Sequence, residues 1–225
     1  MNLYPVFLSL AGRTVLVAGA GTVGRRKLAA LREADAAVIL VFDPGLSDEE
    51  ARELASTIGA RVFRRPLEGG DIAGCALVFA ATGDRAENER IAALCTAANI
   101  FCNTVDDPAG STFHVPAHTR VGSLTAAFST GGQSPALAAR IRKDAEGWLA
   151  AHYGPLLVFM GRLRPLVLAL GEDSGRNRDM FRALVNSGLG DALGGRDGDA
   201  ARAIARNLLP KPLHCRIEEL LYGLC

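Results

Sequence analysis

The sequence predicts an α/β fold in which a parallel sheet is followed by an extended arm and a small helical domain. Short apolar, β-branched runs alternate with helical patterns up to about residue 105, which is typical of a parallel sheet covered by helices. Two strand-like runs and an amphipathic helix follow, and beyond Tyr153 the pattern is helical with glycine-rich breaks. We therefore predict a sheet domain over residues 1–112, an arm over 113–150 and helices over 151–225.

The first strand and the turn after it carry the clearest functional pattern. Thr14–Ala18 is an apolar run that ends in G-A-G-T-V-G, and helical spacing resumes immediately afterwards. In this context Gly19 permits a tight turn, Gly21 lets the backbone approach a pyrophosphate, and Gly24 lets the helix pack closely on the sheet. The pattern predicts a Rossmann-like dinucleotide site, and the alternative is a glycine-rich turn with no ligand.

An acidic residue stands where such a site needs one. The next strand, Ala37–Phe42, ends at Asp43, about nineteen residues after Gly24. A carboxylate at this position binds the adenosine ribose of NAD in this fold and repels the 2′-phosphate of NADP. The spacing therefore predicts NAD as the cofactor.

The rest of the sheet domain continues the alternation. Ser47 begins a helix with a capping-box pattern, and the glycine-rich segment Arg65–Gly74 favours a loop or a single turn. The strand Ala76–Ala80 ends beside the glycine loop, which places Thr82 at the ligand crevice. The remaining predicted elements are a strand at Arg61–Phe63, a helix at Asn88–Ala98 and a fifth strand at Ile100–Val105.

The arm and the closing helices have weaker patterns. Ser111–Val115 and Ser123–Phe128 read as two strands of a hairpin, and Ser134 caps the helix that follows. The apolar stripe of that helix suits either a dimer contact or packing within the chain. The stripe consists of Leu137, Ile141, Ala145 and Trp148, and the predicted closing helices are Ala200–Leu209 and Ile217–Leu221.

Composition excludes several classes of protein. Apolar residues make up 49% of the 225 residues and the formal net charge is +1, which argues against disorder and against a general nucleic-acid binder. The five cysteines form no C-x-x-C pair, which favours reduced thiols in the cytosol and no structural zinc. No run reaches the roughly 18 apolar residues of a membrane span. We expect a cytoplasmic protein without a membrane segment.

Four places could carry chemistry or bind anions. Asp106 follows the last strand of the sheet, where ligand-facing groups lie, although an aspartate there also forms turns. Ser129–Gly132 could bind an anion or simply start a helix. His114 could move a proton, but a lone histidine is more often structural, and Arg25–Lys27 could bind anionic substituents or lie in solvent.

Several motifs, taken in order, resemble one family. They are YPVFLSLAGRTVLVAGAGTVGRRK, then FAATGD with Asn88, then FCNTVDDP, FHVPA and AFSTGGQSPALAARIR. Their order and spacing resemble the NAD-dependent precorrin-2 dehydrogenases, which form sirohydrochlorin and also occur as the N-terminal half of siroheme synthase. The resemblance covers about residues 3 to 150, and beyond Tyr153 it extends only to a helical cap of comparable size.

The resemblance implies a set of cofactor and catalytic residues. The NAD contacts of the family fall on Thr22 and Val23 in the glycine loop and on Asp43 and Pro44 after the second strand. The essential aspartate of the family falls on Asp106. The third glycine of the loop is commonly alanine in the family, so Gly24 is a departure that a Rossmann turn accepts.

It also implies the substrate side of the site. Thr130 matches the hydroxyl residue before the Gly-Gly pair of the family, and His114 replaces a residue that is usually apolar. Oxidation of the carboxylate-rich tetrapyrrole precorrin-2 passes a hydride to NAD and releases a proton, for which Asp106 is the expected acceptor. Some family members also insert Fe²⁺ into the product, and Asp106 or His114 could serve that step as a base or a metal ligand.

The resemblance also implies that the chain forms a homodimer. The second domain of the family forms an intertwined homodimer, and that role falls on about Ser111–Trp148. A different kind of function remains open, because a regulatory NAD-sensing module would share the glycine loop and Asp43 but would need no catalytic aspartate.

Overall fold

The computed structural model describes residues 3–105, 107–171 and 173–225, and the chain divides into two compact units. The first unit ends at Val115 and the second begins at Pro116. The sheet and its helices form the first unit, and a hairpin and a set of helices form the second.

The first unit is built on one parallel sheet with the strand order β3-β2-β1-β4-β5. Strand β1 is central, and the chain moves outward from it first in one direction and then in the other, which is the doubly wound arrangement. The predicted Rossmann-like fold is thereby confirmed. The strands are β1 (Thr14–Ala18), β2 (Val38–Phe42), β3 (Arg61–Phe63), β4 (Cys75–Ala80) and β5 (Phe101–Thr104).

Helices cover both faces of this sheet. Val15 and Val17 of β1 pack into one apolar cluster, whereas Leu16 and Ala18 pack into another on the opposite face. All four side chains are almost completely buried, as expected for a central strand of a parallel sheet. The helices are α1 (Thr22–Glu33), α2 (Asp48–Ile58) and α3 (Arg85–Ala97).

Two local predictions for this unit are confirmed. Ser47 caps α2 through a reciprocal capping box with Glu50, and Gly59 ends the helix in a left-handed conformation with φ of 76°. Between β3 and β4 the chain forms only the single 3-10 turn Gly69–Ile72 instead of a full crossover helix.

The predicted first strand of the arm, Ser111–Val115, is wrong. This segment returns along β5, where Thr112 donates its backbone N–H to the Cys102 carbonyl at 2.8 Å and accepts from Cys102 N–H through its hydroxyl at 2.7 Å. Ser111 Oγ likewise accepts from Thr104 N–H at 2.9 Å. The alternating pattern that suggested a hairpin strand reflects this attachment to the edge of the sheet.

The hairpin lies further along the chain, in the second unit. Strands β6 (Ala117–Val121) and β7 (Leu124–Phe128) pair antiparallel around a turn that includes Gly122, whose φ is 59°. The helices that follow are α4 (Pro135–Ala169), α5 (Ser174–Val185), α6 (Leu189–Gly194), α7 (Gly198–Leu208) and α8 (Ile217–Leu221).

Helix α4 links the hairpin and the helical core of the second unit. Ser134 caps it by accepting from Leu137 N–H at 3.2 Å, as predicted, and its last turns bury Phe159, Leu163 and Val167 in the helical core. The helix is continuous past residue 150, where the sequence suggested a boundary between arm and helical domain. Among the described residues, no helix is long and apolar enough to cross a membrane.

Candidate functional site

The candidate site is the crevice at the carboxyl ends of β1 and β4. These neighbouring strands lead to opposite sides of the sheet, and ligands of doubly wound folds bind at this switch point. The two loops touch here: Gly19 has φ of 92°, and a Cβ on it would lie 2.4 Å from the Ala81 carbonyl oxygen. Only glycine fits at this point of contact.

We call residues 19–24 the phosphate-binding loop. A Cβ at Gly24 would lie 2.0 Å from the Gly19 carbonyl oxygen, so helix α1 packs directly against the loop. The alanine that is common at this position in the family would therefore require the helix to shift. At Gly21 a Cβ would meet nothing within 4 Å of the protein. The absence of a side chain at Gly21 thus keeps space open for a ligand.

The start of helix α1 faces this open space with unsatisfied donors. Gly21 is its N-cap and supplies no side-chain hydrogen bond, and the first turn contains no acidic residue. The first N–H groups of a helix lack partners within the helix, and together with the helix dipole they favour a phosphate. Thr22 and Val23 are exposed at this position, which suits the predicted NAD contacts. The loop and helix therefore fit a dinucleotide.

Asp43 lies at the end of β2 and is half-buried. Its Oδ2 accepts from the Ala20 N–H in the phosphate-binding loop at 2.8 Å, and its Oδ1 accepts from Gly45 N–H at 2.8 Å. A carboxylate has about four lone pairs, so both oxygens retain capacity for ribose hydroxyls. Pro44, next to it, is exposed. Asp43 thus orders the loop in addition to facing the predicted ribose position.

Thr82 follows β4 and is held by a residue that sequence reasoning mentioned only as part of a motif. Asn88 is fully buried, and its Oδ1 accepts from the backbone N–H and the hydroxyl of Thr82 at 3.0 and 2.8 Å. Asn88 Nδ2 donates back to the Thr82 carbonyl at 3.2 Å. Asn88 therefore holds the second loop of the crevice in place. The sequence signal for this role was a polar residue on the apolar face of a predicted helix.

Arg25 is the other residue whose role the sequence left open. Its Nε donates to the Ala20 carbonyl at 3.1 Å, and its two terminal nitrogens donate to Glu50 and Glu53 on α2. The Arg25 side chain therefore belongs to the architecture of the phosphate-binding loop. Its position at the fourth residue of α1 was visible in the sequence, but its partners on α2 were not.

The proposed substrate residues lie in different places. Asp106 is outside the described residues; in the sequence it follows β5, which ends at Thr104. His114 belongs to the first unit, and its Nε2 is buried without a hydrogen-bond partner among the described residues. Thr130 belongs to the second unit, where its hydroxyl accepts from Ser134 N–H at 3.1 Å and so helps to start α4.

The described residues offer no preformed metal site. Among residues 3–105, 107–171 and 173–225, no group of three or more His, Cys, Asp or Glu side chains is placed to hold a metal ion. Asp106 and His114 therefore remain predictions for a metal step.

Comparison with known proteins agrees with this geometry. Residues 6–117 match the family model of NAD(P)-binding domains. Siroheme synthase of Citrobacter koseri is 33% identical over 227 residues, covering 99% of this chain and 49% of the relative. Siroheme synthase of Pseudomonas aeruginosa strain PAO1 is 34% identical over 209 residues, covering 92% of this chain and 44% of the relative. The chain thus spans about half the length of these curated relatives.

A solved structure matches over nearly its whole length. The chain of SirC, a precorrin-2 dehydrogenase, aligns with a TM-score of 0.73 at 25% identity, covering 92% of this chain and 98% of SirC. The match includes the NAD(P)-binding unit and extends into the helical unit, because it covers far more than residues 6–117. The chain is therefore similar to the siroheme synthases over about half of their length and to SirC over nearly its whole length, in agreement with its motifs.

Proposed function

We propose that the chain oxidises precorrin-2 to sirohydrochlorin with NAD⁺. The observation that carries this proposal is the match to SirC across 98% of that precorrin-2 dehydrogenase, combined with an open phosphate-binding loop. The relatives named siroheme synthase support a role in siroheme formation. No feature of the described residues favours the alternative of an NAD-sensing module without catalysis.

The reaction requires residues that bind NAD⁺ and a residue that accepts a proton. The N–H groups at the start of α1 would bind the pyrophosphate of NAD⁺, and the bound cofactor would supply the hydride acceptor. Asp43 would bind the adenosine ribose through lone pairs not used by Ala20 and Gly45. Loss of the hydride leaves a proton to be removed, and we assign its acceptance to Asp106 because in the sequence it comes two residues after the end of β5 at Thr104.

The direct test is turnover of precorrin-2. Incubation with NAD⁺ should convert precorrin-2 to sirohydrochlorin and should produce one NADH for each tetrapyrrole oxidised. The change in visible absorbance measures the conversion. NAD⁺ binding without any such conversion would contradict the enzymatic proposal and favour a sensing module. Addition of Fe²⁺ after oxidation tests chelation separately, because metal insertion changes the tetrapyrrole spectrum without further NADH.

Cofactor preference gives a first prediction. We expect kcat/KM for NAD⁺ to exceed that for NADP⁺ by at least about tenfold, since the Asp43 carboxylate at the ribose would repel a 2′-phosphate. The measurement is initial-rate kinetics with each dinucleotide at saturating precorrin-2. Equal values for the two cofactors would contradict the assigned role of Asp43.

We also propose that the chain forms a homodimer through the hairpin and the first half of α4. The predicted apolar stripe of α4 is exposed in the single chain, with Leu137 52% and Trp148 51% exposed. Several large exposed apolar side chains on one helix are characteristic of a protein–protein contact. The second unit would then contribute both the arm and this helix to the interface.

The dimer yields a second prediction. Leu137→Asp should shift the mass measured by light scattering from dimer to monomer, because it places a charge in the apolar contact. In a monomer the change would be tolerated, since an acidic residue is favourable in the first turn of a helix. Val158→Asp is the control, because Val158 is 43% exposed in the same helix, away from its C-terminal end and outside the stripe. A wild-type mass of one chain at micromolar concentration would contradict the proposal.

A further inference from the structure

Ala20, the second residue of the phosphate-binding loop, is hydrogen-bonded at both of its backbone polar groups. Its N–H donates to Asp43 Oδ2 at 2.8 Å, and its carbonyl accepts from Arg25 Nε at 3.1 Å. Ala20 itself is 97% buried, with a relative exposure of only 3%. Asp43, whose carboxylate is expected at the ribose, and the guanidinium of Arg25 are therefore both hydrogen-bonded to Ala20.

Each of the two terminal nitrogens of that guanidinium donates to a carboxylate of α2. Arg25 Nη2 lies 3.2 Å from Glu50 Oε1, and Nη1 lies 3.0 Å from Glu53 Oε2. All three nitrogens of the Arg25 side chain thus have an acceptor. The Arg25 side chain is about one-third exposed, so these contacts are not sealed from solvent.

Glu50 is itself held in place from the turn after β2. Its Oε2 accepts from the backbone N–H and the hydroxyl of Ser47, both at 2.9 Å. These hydrogen bonds, the backbone one foremost, hold the pKa of Glu50 below its ordinary value, so this carboxylate is ionised at neutral pH. Hydrogen bonds and a short stretch of chain thereby form a ring from Ala20 through Asp43, Ser47, Glu50 and Arg25.

We propose that Glu50 and Glu53 set the preference of this site for NAD⁺ over NADP⁺ by engaging Arg25. In this fold an arginine near the ribose accommodates the 2′-phosphate of NADP. Arg25 is the cation bound to the same loop residue as Asp43, yet each of its three nitrogens already donates to an acceptor of this chain, namely two carboxylates and the Ala20 carbonyl. Arg25 is consequently a positioning residue for the loop and is withheld from a 2′-phosphate.

The charge balance supports the same conclusion. Asp43, Glu50 and Glu53 contribute three negative charges near Arg25, and the nearby Arg64, which donates to the Leu46 carbonyl, is paired with Asp48. A 2′-phosphate would enter a region with an excess of negative charge and would have to displace the Arg25–carboxylate contacts. Charge-assisted hydrogen bonds of this kind are stronger than neutral ones, so the displacement is costly.

The test measures the equilibrium binding of NAD⁺ and of NADP⁺ to the full chain by calorimetry, in the absence of precorrin-2. Glu50→Gln with Glu53→Gln should improve NADP⁺ affinity relative to NAD⁺ by about tenfold, because Arg25 becomes available to a phosphate. Gln at position 50 preserves the capping box, so α2 should still form. Glu49→Gln is the control for charge, since Glu49 is exposed on the same helix and is not bonded to Arg25.

A third substitution separates a role of Arg25 from general electrostatics. Adding Arg25→Met to the double variant should abolish the gain for NADP⁺. If the gain persists without Arg25, removal of negative charge alone explains it and the proposal is overturned. The proposal is equally overturned if the double variant and Glu49→Gln have the same NADP⁺ to NAD⁺ affinity ratio. If the double variant does not fold, Glu53→Gln alone, which lies outside the capping box, is compared with Glu49→Gln for the same affinity ratio.

This inference rests on the proposed function only for the identity of the cofactor. The binding ratios are measured without precorrin-2, so their outcome is independent of turnover. A shifted ratio in a chain that does not oxidise precorrin-2 would sustain the role of Glu50 and Glu53 and refute the proposed reaction. An unchanged ratio in a chain that oxidises precorrin-2 would refute the role of Glu50 and Glu53 and sustain the proposed reaction.

Discussion

Gly21→Ala should leave the chain folded and should weaken NAD⁺ binding by about 10- to 100-fold. A Cβ at this position meets no protein atom within 4 Å, and the φ of −68° is ordinary for alanine. The new methyl group would instead occupy space that the structure leaves open in front of α1. Loss of one or two hydrogen bonds to a charged pyrophosphate accounts for the expected size of the effect.

Gly19→Ala is the matched contrast, because its effect should fall on folding. The new Cβ would lie 2.4 Å from the Ala81 carbonyl oxygen at a residue with φ of 92°, a strained backbone for alanine. We expect a loss of unfolding free energy of roughly 3 kcal/mol or more from strain and overpacking combined. Thermal unfolding and NAD⁺ titration of both variants measure the two effects. A Gly21→Ala chain with wild-type affinity would show that the cofactor does not approach this loop.

The sheet and the phosphate-binding loop could be predicted because their signals are local. Gly19, Gly21 and Gly24 stand at the fixed spacing of a single turn, although the clash that a Cβ at Gly19 would make is with Ala81, which is distant in the sequence. Strand β1 is buried on both faces, so its apolar run needs no periodicity to be recognised. Asp43 follows the second strand at the spacing of a single βαβ unit, and the structure places it against the loop as expected.

The parts that could not be predicted depend on contacts between distant residues. Ser111 and Thr112 look like part of a strand, but their hydroxyls satisfy the backbone of β5 instead of a hairpin partner. Arg25 looks like a solvated helix residue until α2 brings Glu50 and Glu53 beside it. Helix α4 continues past the boundary predicted at residue 150, although Pro155 and Pro165 lie inside it. Propensity marks such a proline as a break, whereas burial of the surrounding turns maintains the helix.

Asp106→Asn should fold and bind NAD⁺ normally but should oxidise precorrin-2 at least about 100-fold more slowly. Asparagine preserves the shape of the side chain and suits the same turn geometry, but it cannot accept the proton released during oxidation. General bases contribute about 10²- to 10⁴-fold to rate, equivalent to roughly 3–5 kcal/mol of barrier. Single-turnover kinetics at saturating NAD⁺ measure the step directly.

Asp107→Asn is the control for this prediction, since the structure gives Asp107 a local role. Its Oδ1 accepts from Ala109 N–H at 3.0 Å, and an asparagine oxygen can accept the same hydrogen bond. We expect this variant to retain nearly full turnover. An Asp106→Asn enzyme with the wild-type rate would leave Asp106 as a turn residue. His114, with its buried and unpartnered Nε2 among the described residues, would then become the next candidate for proton transfer.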